Sequence, residues 1–147
     1  MITQIKQKDE LTERVIGCCF KVHRELGPGF PEKVYQAALL ESLRSTGVLV
    51  VRERRFQVQF EGVLVGQFQV DFVVEERVIL ELKAVTGPLP NVFQAQLMAY
   101  LKAAALTVGL LVNFGNISCQ VKRIMAPSAL SVLSVKSLSV KSAFKSV

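Results

Sequence analysis

The chain has 147 residues, 50% of them hydrophobic and 20% charged, which is enough for one globular domain with a substantial core. No apolar run reaches the roughly 18–20 residues of a membrane span, and the charged N-terminus lacks the apolar stretch of a signal peptide. These features predict a cytoplasmic protein that does not contact a membrane. The net charge is +6, but residues 127–147 contribute three lysines and no acid to it. The remaining charge is compatible with nucleic-acid binding without indicating it.

The first 47 residues predict two helices. Apolar residues recur at helical spacing from Leu11 to Leu26, and Gly27 ends the pattern. After the sequence GPGF, Pro31 is suited to the first turn of a second helix, which continues to Gly47.

Residues 50–86 predict three strands, because RRFQVQFEG, VLVGQFQVDFVV and RVILELKAV alternate and are rich in β-branched and aromatic residues. The segments EG and EER predict the hairpin turns between them. GPLPN then ends the strand region, VFQAQLMAYLKAAAL predicts a helix, and VGLLVNF and ISCQVKRI predict two more strands. The predicted element order is therefore α-α-β-β-β-α-β-β.

The C-terminal residues differ from the rest of the chain in composition. Residues 127–147 are a near-repeat of Ser, Val and Lys. Such low complexity predicts a disordered tail that follows a domain of residues 1–126.

Charged residues interrupt two of the apolar strands. Asp71 lies in the second strand, and Glu81 and Lys83 lie in the third. A three-residue hairpin loop would place Asp71 opposite Glu81 on one face, whereas a two-residue loop would place Leu80 there and send Glu81 to the other face. Two carboxylates that face each other across neighbouring strands destabilise the sheet by up to about 1 kcal/mol. A divalent cation bound between them makes the same arrangement favourable. The alternative is an ordinary solvated Glu-Lys pair on the open face of a sheet.

The pattern of Asp71 followed by ELK at residues 81–83 resembles the signature of the PD-(D/E)XK nuclease superfamily. The segment GPGFPEKVY resembles the motif of the GxxExxY protein family, and ELKAV, QAQLMAYLKA and VGLLVNFG add to this likeness. The resemblance covers about residues 10–125. It implies a restriction-endonuclease-like α/β fold with a mixed β-sheet flanked by helices. The proline that often precedes the aspartate is absent, since Val70 stands there.

The resemblance also implies roles for single residues. The metal ligands for Mg²⁺, or for Mn²⁺, would be Asp71, Glu81 and Glu32, and the catalytic lysine would be Lys83. A Gln-x-x-x-Tyr pattern of exonuclease-like members is matched by Gln96 and Tyr100, which lie on one helix face because they are four residues apart. Within the GxxExxY motif, the residue types themselves predict structural roles: Gly29 in the sharp turn into the helix, and Tyr35 in packing.

These observations indicate two functions. The first is a metal-dependent nuclease, a hydrolase of DNA or RNA phosphodiester bonds. The second is a catalytically silent module of the same fold that binds nucleic acid or protein. Arg52, Arg54 and Arg55 form a basic run before the first strand, usually a solvated edge but also suited to phosphate. The segment VGLLVNF, taken as a sheet edge, would permit a homo-oligomer.

Overall fold

The computed structural model describes residues 2–127, with side chains from residue 10 onward. The predicted order of elements is confirmed: α1 (Ile2–Leu26), α2 (Glu32–Ser45), β1 (Val50–Phe60), β2 (Val63–Val74), β3 (Val78–Lys83), α3 (Asn91–Ala104), β4 (Val108–Asn113) and β5 (Gln120–Met125). The predicted low-complexity tail lies outside the described residues from residue 128 onward, and its disorder stays a prediction.

The five strands form one mixed sheet in the order β1-β2-β3-β4-β5. β3 and β4 are parallel and are connected through α3, while the other neighbouring strands are antiparallel. Helices α1 and α2 cover one face of the sheet, and α3 covers the other. This is the α/β architecture that the sequence predicted. Within residues 2–127, no helix combines the length and the apolar character that crossing a membrane requires.

Strand β4 lies inside the sheet, so the prediction that VGLLVNF forms a sheet edge is wrong. All six residues of β4 are buried between β3 and β5. A strand covered by helices on both faces needs apolar residues at every position, which explains the composition of this segment. This segment therefore offers no free strand edge to a second copy of the chain.

The segment that leads into α2 is fixed by Tyr35. Its hydroxyl donates a hydrogen bond of 2.6 Å to the carbonyl of Gly27, and its ring stacks on Phe114 with centroids 4.7 Å apart. Gly29 has a φ of 115°, which favours glycine. The structural roles expected of Tyr35 and Gly29 are confirmed. Pro31 is the N-cap of α2 and lies just outside the first turn in which the sequence placed it.

The loop between β2 and β3 has three residues, because Val74 pairs with Val78. Glu75 and Glu76 adopt φ values of 52° and 54°, a left-handed conformation that costs a residue other than glycine about 1–3 kcal/mol. Two hydrogen bonds of 2.8 Å offset this cost: the Glu75 N–H donates to the Leu49 carbonyl, and the Leu49 N–H donates to Glu75 Oε1. The register is therefore the one that brings the two strand carboxylates face to face.

Strands β1 and β2 extend beyond the rest of the sheet. β3 pairs only with residues 72–74 of β2, so residues 54–70 form a two-stranded unit that we call the β1–β2 ribbon. Arg52, Arg54 and Arg55 lie within β1, which corrects the prediction that they precede the first strand.

Candidate active site

The regular ladder between β2 and β3 ends at the pair Phe72–Leu80. Beyond it, the Asp71 N–H donates a hydrogen bond of 3.0 Å to Glu81 Oε1, and the Leu82 N–H donates one of 2.7 Å to Asp71 Oδ2. Carboxylate oxygens thus replace backbone carbonyls as the acceptors between the strands. The strand pairing itself brings the two acidic side chains together, as the three-residue loop predicted.

The alternation of β2 breaks at Asp71. Val70 packs with the α3 side of the sheet, whereas Phe72 packs with the α1 and α2 side, although alternation would place both on one face. On β1, the residue opposite Asp71 is Glu53, which adopts a φ of 54°. This irregularity in both strands leaves room for a carboxylate at the point where β2 changes face.

Glu32, the first residue of α2, is the third acid near this point. Its residue as a whole is exposed, but partial burial of its carboxyl raises the pKa, and the charge of Asp71 raises it further. The charges of Lys83 and Lys33 act in the opposite direction. Glu32 is therefore within electrostatic reach of both Asp71 and Lys83.

The three carboxylates of the cluster are costly to ionise together. Burial and then the charge of Asp71 raise the pKa of Glu81 to about 8, and Glu32 adds to this effect. Burial also raises the pKa of Asp71. Three carboxylates that are costly to ionise together fit a hard divalent cation such as Mg²⁺, which prefers oxygen ligands. Within the part of the chain that the structure describes, however, no three Asp, Glu, His or Cys side chains form a ready-made metal centre.

Gln36 holds Asp71 in place, and the sequence analysis missed it. The Gln36 side chain is buried, and its Nε2 donates a hydrogen bond of 3.2 Å to Asp71 Oδ1. Because the Leu82 N–H binds Oδ2, both oxygens of Asp71 accept hydrogen bonds from the chain. One signal was available: Gln36 follows Glu32 by four residues and so shares its helix face.

Lys83, the last residue of β3, lies beside the acids. Its charge lowers the pKa of Asp71, Glu81 and Glu32, each of which burial raises. The Lys83 Nζ lies 4.3 Å from the centroid of the Phe93 ring, a cation–π contact that restricts where the ammonium group can point. The lysine is thus held next to the carboxylates by α3.

Two asparagines fix the backbone that follows Lys83. The Asn113 side chain binds both the N–H and the carbonyl of Val85, each at 2.9 Å. The Asn116 side chain binds the N–H and the carbonyl of Gly87 in the same way, at 2.8 and 2.9 Å. Gln120 Oε1 accepts a hydrogen bond of 3.1 Å from each asparagine. We call this arrangement the asparagine clasp; it continues the β3–β4 pairing through side chains, which the sequence analysis did not predict.

The two residues predicted on α3 differ in their placement. The ring of Tyr100 stacks on Phe68 with centroids 4.2 Å apart, and burial followed by the charge of Glu81 raises the pKa of its hydroxyl. Tyr100 is therefore near the carboxylates. Gln96 is exposed, and across residues 10–127 no hydrogen bond joins it to Asp71 or Glu81.

Comparison with known proteins agrees with this fold. No curated protein matches the sequence. The crystal structure of SSO0001 matches with a TM-score of 0.54 and 17% sequence identity, over 68% of this chain and 52% of that chain. At this identity the likeness shows the fold alone, and the matched region spans about half of that protein. The narrower resemblance to GxxExxY proteins stays a prediction. Residues 9–124, most of the sequence, match the PD-(D/E)XK nuclease superfamily, and the chain belongs to that superfamily.

Proposed function

We propose that this protein is a metal-dependent nuclease that hydrolyses phosphodiester bonds in DNA or RNA. The observation that carries the proposal is the pair of carboxylates, Asp71 and Glu81, that bridge β2 and β3 where their ladder ends, with Lys83 beside them. Membership of a nuclease superfamily supports the same function.

The acids of the cluster would hold Mg²⁺ or Mn²⁺ through Asp71, Glu81 and Glu32. When bound, such an ion polarises a phosphoryl group and lowers the pKa of a coordinated water. The chain itself orients the ligands, since the Leu82 N–H and the Gln36 amide hold the Asp71 carboxylate from two sides.

Lys83 would stabilise negative charge on the phosphate and orient the attacking water. Its contact with Phe93 keeps the ammonium group from turning freely into solvent, so little reorganisation is needed when substrate binds. The Tyr100 hydroxyl, near Glu81, would donate a hydrogen bond to the cluster or to a phosphate oxygen. The exposed Gln96 would contact the nucleic acid rather than the carboxylates.

The test is cleavage of supercoiled plasmid, single-stranded DNA and single-stranded RNA by the purified protein in Mg²⁺. Lys83→Ala should reduce cleavage about 100-fold or more, which is the usual cost of removing one group that stabilises transition-state charge. Lys122→Ala, a lysine exposed on β5, is the matched control and should cut like the wild type. Equal cleavage by Lys83→Ala and the wild type would show that another site, or a contaminant, cuts the substrate.

One observation favours the second candidate function, a catalytically silent binding module. Both oxygens of Asp71 already accept hydrogen bonds from the chain, which satisfies the carboxylate without an ion. A silent module would bind nucleic acid or protein without divalent ions, and Glu81→Gln would leave that binding intact. Calorimetric titration with Mg²⁺ and Mn²⁺ separates the two functions: a nuclease site gives binding heat that Asp71→Asn removes, and a silent module gives none.

A further inference from the structure

The β1–β2 ribbon stands free of the body for most of its length. No third strand pairs with residues 54–70 within the described chain, because β3 reaches only residues 72–74 of β2. Near its tip the side chains of Phe60 and Val63 are 64% and 63% exposed. The ribbon is thus an arm whose tip is open to a partner.

The root of the arm is fixed to α3 by a continuous stack. Arg54 lies 4.9 Å from the ring centroid of Phe56, Phe56 stacks on Phe68 at 5.4 Å, and Phe68 stacks on Tyr100 at 4.2 Å. A two-stranded hairpin alone is only marginally stable in water, and this stack anchors it to the body. The anchoring residue Tyr100 is also the one near Glu81, so the arm has a defined position relative to the candidate active site.

One face of the arm carries an unusual set of polar groups. Arg55 pairs with Gln69 and Gln57 pairs with Gln67 across the two strands, so these four exposed side chains share a face. The Arg55 Nε donates to Gln69 Oε1 at 3.3 Å, which leaves its other guanidinium donors free. The two strands contain no Asp, Glu or Lys over residues 54–60 and 63–70. Exposed edge strands usually carry charges, especially lysine, whereas this face offers amides and a guanidinium.

We propose that this face binds in the major groove of double-stranded DNA and contacts base edges there. A two-stranded ribbon fits a groove about 12 Å wide, and Arg and Gln are the side chains that form paired hydrogen bonds with guanine and adenine. The inference rests on the proposed nuclease function, for which it names the substrate class. Gln69 is two residues from Asp71, about 7 Å along β2, so the polar face of the arm begins close to one carboxylate of the proposed site.

The chemistry favours duplex DNA over other occupants. The major groove of an RNA duplex is too deep and narrow for side chains to read, so the ribbon does not fit it. Arm-to-arm contact with a second copy of the chain would bring the same amide and guanidinium groups together, and residues 54–60 and 63–70 contain no carboxylate that could pair with Arg55. The phosphate backbone of DNA provides the charge complement to Arg55, and base edges provide the acceptors and donors for the amides.

The test measures binding in EDTA, where no metal-dependent cleavage occurs. The probes are a fluorescein-labelled DNA duplex of roughly 20 base pairs, or about two helical turns, the same duplex with 7-deazapurines, and the corresponding RNA duplex and DNA single strand. 7-Deazapurines remove the N7 acceptor from the major groove and leave the backbone and minor groove unchanged. Fluorescence anisotropy gives the Kd, and sedimentation gives the oligomeric state.

The wild type should bind the DNA duplex about tenfold more tightly than its 7-deazapurine form. Gln57→Thr/Gln67→Thr keeps strand-favouring residues and the net charge. It should weaken duplex binding about tenfold and abolish the difference between the two duplexes, with affinity for RNA and single strands unchanged. The control Lys122→Thr, on β5 at the opposite edge of the sheet, should bind every probe like the wild type. Equal affinity of the wild type for the two duplexes, or dimerisation through the arm, would overturn the inference. Because these readouts need no cleavage, they are separate from the Lys83 test of the proposed function.

Discussion

Burial of Glu81, followed by the charge of Asp71 opposite it, raises the pKa of the Glu81 carboxyl to about 8. In the unfolded chain this carboxyl titrates near its ordinary pKa of about 4.3. Between these two values the folded protein holds a proton that the unfolded chain has lost. Folding therefore takes up a proton at neutral pH, and the cluster connects stability to pH.

The free energy of unfolding should fall as the pH rises from about 4.5 to 8. In that window the unfolded state binds fewer protons than the folded state, so the slope of stability against pH is negative. The raised pKa values of Asp71 and Glu32 act in the same direction. Glu81→Gln should flatten the slope and raise the Tm above that of the wild type near pH 8. Thermal unfolding in EDTA across this range measures the effect, with the exposed Glu13→Gln as the control that keeps the wild-type slope. A pH-independent wild-type Tm would contradict the prediction.

Mg²⁺ should restore the stability that is lost near pH 8. An ion that binds only the folded state adds about 2.7 kcal/mol at a concentration of 100 times its Kd, and the Tm then rises steadily with concentration. Asp71→Asn should remove this response, whereas Glu13→Gln should keep it. Thermal shift against Mg²⁺ concentration measures both. An identical Mg²⁺ response in Asp71→Asn would place the ion elsewhere.

Gly115→Ala should destabilise the fold by about 1–3 kcal/mol, the usual cost of overpacking. A Cβ on Gly115 would meet the backbone of Val85 at 2.3–2.5 Å, and Val85 is held by the asparagine clasp and cannot move away freely. Gly17→Ala in α1 is the matched control: its Cβ would meet nothing within 4 Å, and it should stabilise the helix by about 0.5–1 kcal/mol. Urea unfolding compares the two, and equal stability of both variants would mean that the close approach at Val85 is not constrained.

Two substitutions separate the role of the Tyr100 hydroxyl from the role of its ring. Tyr100→Phe keeps the ring on Phe68 and removes the hydroxyl near Glu81, so stability should stay within about 0.5 kcal/mol while cleavage falls. Phe68→Ala should cost about 2 kcal/mol, roughly half of the loss for a fully buried phenylalanine, because Phe68 is only partly buried. Urea unfolding and plasmid cleavage give the two readouts. Unchanged cleavage by Tyr100→Phe would limit the residue to packing.

The element order and the facing carboxylates were accessible from sequence because both rest on local patterns. Alternation identified β2 and β3, and the strand period placed Asp71 opposite Glu81 once the loop was given three residues. The sequence left the loop length open, since Glu75 and Glu76 are unusual residues for consecutive left-handed positions. Only the hydrogen bonds with Leu49, a residue distant in sequence, make that conformation favourable.

Gln36 and the asparagine clasp escaped sequence analysis because their partners are far away along the chain. Gln36 binds a carboxylate 35 residues later, and Asn113 binds Val85 across 28 residues. Neither spacing corresponds to a helix or strand period, so the local position of Gln36 one helical turn after Glu32 was the one available signal, and it does not identify the partner. The central position of β4 was not predicted for a similar reason: an apolar strand has the same sequence pattern at the edge of a sheet as in its middle.

The change of face in β2 has a dynamic consequence. Phe72 and Val74 pack under α1 and α2, while Val70 and Val73 pack under α3, so the strand that carries Asp71 is embedded in both hydrophobic layers. Neither layer can open without displacing that strand. We therefore expect the amide hydrogen of Asp71, which donates to Glu81 Oε1, to exchange slowly with solvent.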